Sequence, residues 1–210
     1  MYRKLSEDKL QNIIDAGIAE FADEGFNGAN LTRIAKAAGV SVGVIYKYYA
    51  DKQALFLACV RHSLSALRDA LKEVAFKSDD LKASIRSVVH TLIHHSKSNE
   101  YVNRMYHEIT AGAASDFTKA LSDEVEGISA LVYTDLLRKA KDEGMCRQDL
   151  DPAMFAFFFD NLFMMIQFSY SCEYYRERIK LYCGDDILSD DARIEDELVR
   201  FLTGALGVRD

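Results

Sequence analysis

The chain has 210 residues, the size of one ordinary domain with a small appendage and too short for a large multidomain enzyme. It is 49% hydrophobic and 28% charged, which excludes disorder as the main state, and it has one proline (Pro152), no tryptophan and few glycines. A β-sandwich or barrel needs many more turn formers, so an all-α fold with long helices is expected. The net charge of −7 by itself speaks against nucleic acid as a partner.

The opening residues MYRKLSEDKLQ lack the apolar stretch of a secretory signal, and a cytoplasmic location is expected. Apolar residues then recur at Leu10, Ile14, Ile18 and Phe21, one face of a 3.6-residue repeat, which predicts a first helix over residues 6–24 with Gly25 as its stop. A short second helix follows over residues 31–38, with Leu31, Ile34, Ala35 and Ala38 on one face and Gly39 ending it. Ser41 is placed to cap a third helix of about two turns, residues 42–49. A helix that short is unstable alone and must be held by its neighbours, through Val44, Ile45 and Tyr49. Asp51 caps a much longer fourth helix reaching residue 76, and the change in helix character near Ala50 divides the chain into residues 1–50 and 51–210.

Further helices are predicted over residues 79–96, 100–109, 115–143, 152–182 and 190–206, about nine helices in all and no strand. Asp151-Pro152 is a strong start signal, an N-cap acceptor followed by a proline where its missing N–H costs nothing. The most apolar stretch, AMFAFFFDNLFMMIQFSY, has fourteen apolar or tyrosine residues out of eighteen. Asp160 and Asn161 interrupt it, so it reads as a helix enclosed on nearly all sides rather than a membrane span. The four cysteines are widely separated with no CxxC pair, as expected of reduced thiols at apolar positions.

Two short helices joined by a glycine-containing turn form a helix-turn-helix pattern, whose second helix enters the DNA major groove. The outward face of the third helix is small or hydrogen-bonding: Ser41, Val42, Gly43, Tyr46 and Lys47. Gly43 permits close backbone approach, and Tyr46 and Lys47 can reach phosphates or base edges. From residue 28 to 52, Arg33, Lys36, Lys47 and Lys52 face only Asp51, a local charge of +3. Residues 1–52 are neutral overall, so the whole deficit of −7 lies in the remaining 158 residues.

The stretch FADEGFNGANLTRIAKAAGVSVGVIYKYYADKQALF resembles the DNA-binding domain of TetR-family transcriptional regulators. Phe21, Gly25-Phe26, Ile34-Ala35, Ala38-Gly39-Val40-Ser41, Tyr46, Tyr48-Tyr49, Lys52 and Leu55 match in one register. The resemblance implies phosphate contact by Thr32, groove contact by Ser41, Val42, Gly43, Tyr46 and Lys47, and backbone contact by Tyr48 and Lys52, with Arg33 adding local positive charge. Val42 stands where lysine is frequent and Val44 where threonine is common; both reduce polar readout. A double-stranded palindromic operator, a homodimer with half-sites about 34–36 Å apart, and release by a small-molecule effector are the expected partners and mechanism, with no catalysis, no cofactor, no metal and no membrane.

In this reading the helices of 152–182 and 190–206 pair with a second copy, and the effector cavity lies inside the larger domain. Its candidate lining is Tyr101, Met105, Phe155, Phe159 and Phe163. The alternative is an all-α metal-binding bundle or enzyme using His90 and His94, which share a helix face, with Glu108.

Overall fold

A computed structural model of the protein describes residues 5–75, 78–110 and 118–208. Among the described residues there are ten α-helices, one short 3-10 turn and no strand. The helices are α1 (Glu7–Gly28), α2 (Leu31–Ala37), α3 (Val42–Tyr48), α4 (Lys52–Ala75), α5 (Leu81–Ser98), α6 (Glu100–Thr110), α7 (Thr118–Asp142), α8 (Pro152–Ser171), α9 (Glu173–Cys183) and α10 (Asp191–Leu206), with the 3-10 turn at Ile187–Ser189. The predicted end of the fourth helix at residue 76 and the start of the seventh at 115–117 lie outside the described residues.

Several ends have the local causes expected of them. Asp80 accepts from the Lys82 N–H at 2.9 Å, and Asp190 from the Arg193 N–H at 3.1 Å. Asp151 accepts from the N–H groups of Ala153 and Met154 ahead of α8, whose first residue is Pro152. Each such cap contributes about 1 kcal/mol. Gly25 does interrupt α1, at φ 69°, but the chain turns on to Gly28 and the Ala29 N–H returns to the Gly25 carbonyl. Ser41 precedes α3 without a side-chain capping bond; there the Val44 N–H bonds the Ser41 backbone carbonyl instead.

The predicted helix over residues 152–182 is two helices. Cys172 is extended (φ −110°, ψ 124°), so α8 ends at Ser171 and α9 starts at Glu173. No glycine or proline marks the break. Tertiary bonds hold it: the buried Asn103 amide donates to Ser171 Oγ at 2.9 Å and to the Ser96 carbonyl at 3.0 Å, while Arg176 reaches the Tyr170 carbonyl. The helix α8 is also less enclosed than its composition implied. Met154, Phe157 and Phe158 are exposed on the single chain.

The buried apolar side chains fall into two clusters. The first joins Ile13, Phe21, Ile34, Ala35 and Ile45 of α1–α3 to Leu55, Phe56, Cys59 and Val60 of α4 and to Met105 of α6. Phe21, Phe26 and Phe56 form its aromatic centre, with ring centroids 4.8–6.3 Å apart. The second joins Leu67, Leu71 and Ala75 of α4 to α5, α7, α8 and α10. A single helix, α4, therefore carries residues of both cores. Lys97 and Tyr170 hold α10 through Asp191, and Arg86 holds it through Glu195 and Asp196.

α1 crosses α4 at close range because Gly17 has no side chain. A Cβ there would stand 2.7 Å from Cys59 Sγ. Gly17→Val is therefore expected to lower stability by about 1–3 kcal/mol in urea unfolding, despite the better helix propensity of valine. Adding Cys59→Ala should recover much of the loss, because the two sites share one contact.

Candidate nucleic-acid interface and effector site

The recognition element is built on α1. Glu20 accepts from the Asn30 backbone N–H at 2.8 Å and from Arg33 Nε at 2.7 Å. Burial alone would raise the Glu20 pKa; its bonds to Arg33 and Asn30 bring it below the ordinary value. Asn30 in turn caps α2, its Oδ1 accepting from the Thr32 N–H at 2.7 Å. The start of α2 is thus pinned to α1 by one partly buried carboxylate and one asparagine, neither of which the sequence reading singled out.

The turn between α2 and α3 needs a left-handed residue, and Gly39 supplies it at φ 66°. Ile45, fully buried, anchors α3 to the first core, while Val44 and Tyr49 pack beside it. The side chains of Ser41, Tyr46 and Lys47 then face solvent together, with the bare backbone of Gly43 between them. With seven residues, α3 is roughly 10 Å long, a fit to the width of a major groove.

The other residues named from sequence have additional structural work. Val42 is half-buried against the first core, which leaves less of it for a groove. The Tyr48 hydroxyl accepts from the Leu5 N–H at 2.7 Å, fastening the start of the described chain to α3. Lys52 donates to the carbonyls of Asn27 and Ala29 and lies 4.9 Å from the Phe26 ring. Arg33 is ion-paired with Glu20 and Glu24. Thr32 is exposed at the start of α2. The local +3 of the sequence is therefore partly engaged in holding the domain together.

The five residues named for an effector cavity are not brought together. Met105 is buried in the first core, and Tyr101 is half exposed near Arg104. Phe159 and Phe163 do belong to the larger body, where with Tyr133, Ile85, Val88, Leu136 and Leu137 they line a cavity of about 10 Å³. Phe155 packs at its edge, 6.2 Å from Phe159 between ring centroids.

Next to this aromatic group sits a polar one that composition did not reveal. Tyr106 of α6 donates to Glu126 of α7 at 2.8 Å, and Ser129 lies in hydrogen-bonding reach of both Glu126 and Asp160 of α8. Tyr133, one turn beyond Ser129, stacks edge-on against Phe163 at 5.3 Å. Burial, then the neighbouring Glu126 charge, pushes the Asp160 carboxyl up to about 7, and burial raises Glu126 as well. The available signal was Asp160 itself, a carboxylate in the middle of FFFDNLF.

The histidines are separated in role. His90 pairs with Glu195 of α10 at 2.9 Å, and Glu108 lies against α1 at Gly25. No group of three or more His, Cys, Asp or Glu is arranged to hold a metal ion among the described residues.

A short glycine turn, an anchored α3 and its exposed polar face define a helix-turn-helix DNA-binding domain. Residues 13–59 match the family described as bacterial regulatory proteins, tetR family. The chain is 36% identical over 83 residues to the HTH-type transcriptional regulator BetI of Pseudomonas paraeruginosa, covering 39% of this chain and 42% of that one. The BetI of Yersinia pestis is 34% identical over 82 residues. The matched region thus spans less than half the length of these curated relatives. Over nearly the whole chain the fold resembles that of a bacterial regulatory protein of the tetR family from Rhodococcus RHA1, with a TM-score of 0.74, 18% identity and coverage of 98% and 100%. A similar likeness holds to the regulator FadR of Bacillus subtilis in complex with stearoyl-CoA, with a TM-score of 0.72, 16% identity and coverage of 90% and 97%.

A carboxyl whose pKa is raised on folding stabilises the protein at low pH, and this contribution is lost as pH rises from about 4 to about 7. Asp160→Asn should therefore be more stable than the parent at pH 8, by up to about 4 kcal/mol, with the gap narrowing towards pH 5. Urea melts of both proteins at the two pH values measure this directly.

Proposed function

We propose that the protein is a ligand-responsive transcriptional regulator, a homodimer that represses by binding a palindromic operator through α3 and lets go when an effector occupies the body formed by α4–α8. The observation that carries this reading is the exposed face Ser41, Gly43, Tyr46 and Lys47, presented by a helix whose opposite side is buried at Ile45. Residues 1–50 act as the reader and 51–210 as the effector and dimerisation unit, although the reader's core also takes in the first turns of α4. It acts by binding, without catalysis, in the cytoplasm.

Thr32, Ser41, Gly43, Tyr46 and Lys47 meet the duplex. Val42 adds an edge contact, suited to a thymine methyl. Arg33, Tyr48 and Lys52 set the position of the reader while remaining near the phosphates. The acidic body is repelled by DNA, so the reader docks first.

Release requires that effector and operator favour different arrangements of the same chain. Two elements support such coupling. The helix α4 joins both cores, and α6 holds α1 through the Arg104–Asp23 ion pair at 3.0 Å and through Glu108 beside Gly25. Phe159 and Phe163, with Phe155 at the edge, form the apolar side of the effector site. Their cavity is too small for a ligand as it stands, so an effector has to open this packing. The stearoyl-CoA of the FadR complex shows what a similar fold accommodates in that protein. Here Glu126 and Asp160 weigh against a ligand with that many negative charges.

The dimer face is the apolar side of α8–α10. Leu162, Ile166, Ile179, Ile194 and Leu198 line a groove there, with Phe201 exposed on its rim. An uncovered apolar strip of this kind is rare on monomers. Phe201→Glu with Leu198→Glu should convert a dimer to monomer in sedimentation equilibrium while leaving the helical circular dichroism unchanged.

Operator DNA selected from a random duplex pool with the purified protein provides the main test. In fluorescence anisotropy, Tyr46→Ala and Lys47→Ala should each weaken binding by about 1–3 kcal/mol, and Lys47→Ala should reduce the salt dependence by about one counterion. Failure to select any sequence, or undiminished binding by both variants, would sink the assignment.

A further inference from the structure

We infer that Glu20 of α1 is a specificity-determining positioning residue: it sets the angle at which α2, and through it α3, is presented to the operator. This rests on the reading of α1–α3 as a DNA reader. Three N–H groups converge on one oxygen of Glu20: the Asn30 backbone at 2.8 Å, Arg33 Nε at 2.7 Å and Arg33 Nη2 at 2.6 Å. The Glu20 side chain is 13% exposed, while Arg33 above it is half exposed.

The turn between α1 and α2 depends on where that guanidinium stands. Arg33 Nη2 also donates to the Gly28 carbonyl at 3.1 Å, and Lys52 donates to the carbonyls of Asn27 and Ala29. Three successive carbonyls are thus held by two cations, and the next residue, Asn30, caps α2 through the Thr32 N–H. At seven residues, α2 is too short to keep a direction of its own. Charge-assisted bonds are short and directional, so this clasp fixes the helix more closely than the apolar contacts of Ile34 and Ala35 do.

The support continues to the groove. The main neighbour of α3 is α2, and the turn between them is closed by the Val40 N–H returning to the Ala35 carbonyl at 2.9 Å. A rotation of α2 about the buried Ile34 therefore carries α3 with it. Base contacts need exact placement, whereas attraction to phosphates carries no sequence information. Loss of Glu20 harms the reading of sequence and spares the general attraction to DNA.

Electrostatics alone predicts the opposite sign. Glu20 and Glu24 place two negative charges near Thr32 and Arg33, and removing either favours a polyanion. Glu24 touches Arg33 at 3.2 Å, is 48% exposed, and no described bond ties it to the α2 backbone. It is a control of equal charge one helical turn away.

Fluorescence anisotropy of the full-length protein on a selected operator and on a scrambled duplex of the same composition tests this. Glu20→Ala should weaken operator binding about tenfold, with the scrambled duplex bound as well as before and the salt dependence unchanged. Glu24→Ala should change operator affinity by less than about threefold. Glu20→Gln keeps the acceptor without the charge and should restore most of the loss. If circular dichroism shows that Glu20→Ala has lost helicity, Glu20→Asp, one methylene short of the same donors, is read by the same criteria. An unchanged operator preference, an equal loss in Glu24→Ala, an equal loss on both duplexes by a folded variant, or no rescue by glutamine overturns the inference. Failure of the parent to select any operator overturns the DNA reader and this inference together. An operator that parent and Glu20→Ala read equally well overturns the inference alone.

Discussion

Leu55, Phe56, Cys59 and Val60 of α4 are buried among the residues that support the recognition helix, and Leu67, Leu71 and Ala75 of the same helix are buried in the core of the body. A packed helix is stiff, so a shift at one end is felt at the other. The approach of α1 to α4 at Gly17 makes the reader a rigid attachment to that helix. Because α3 has only seven residues and one fully buried anchor, Ile45, its direction is set by this attachment. The geometry of any DNA contact is therefore a property of the α1–α4 packing as much as of α3.

A second tie runs through α6. Met105 is buried in the reader's core, Arg104 grips Asp23, and Tyr106, the next residue along, donates to Glu126 in the body. Three consecutive side chains on one helix thus face three different surroundings. A ligand that changed the Tyr106–Glu126 contact would act on the same helix that holds α1. This arrangement gives a physical route for coupling, and it has two discrete packings to choose between only if the body opens.

Much of the reader was legible in sequence. Gly25 and Gly39 both adopt positive φ, as their place at helix ends required, and Ile34, Ala35 and Ile45 are buried as the periodicity predicted. The resemblance implied a DNA-backbone contact for Lys52, and Arg33 was counted in the local positive charge. The fold also engages them, Lys52 with the carbonyls of Asn27 and Ala29 and Arg33 with the partly buried Glu20. In the body, Met105 and Phe163 share an apolar pattern yet lie in different cores. Periodicity identifies a buried face but does not say which neighbour buries it.

The amino-acid sequence by itself determined the all-helical class, the order of the helices, the helix-turn-helix signature and the acidic character of everything after it. These are local matters: 3.6-residue periodicity, caps such as Asp151-Pro152, and the freedom of glycine at two turns. Only the tertiary structure decided where the long apolar helix breaks, since Cys172 is held extended by bonds from Asn103 and Arg176, residues that are distant in the chain or on the far side of the break. The fold also decided that Asp160 faces Glu126, Ser129 and the two tyrosines. Desolvation and the approach of a second carboxylate exist only once three helices have packed, and those two effects give the body its chemical character.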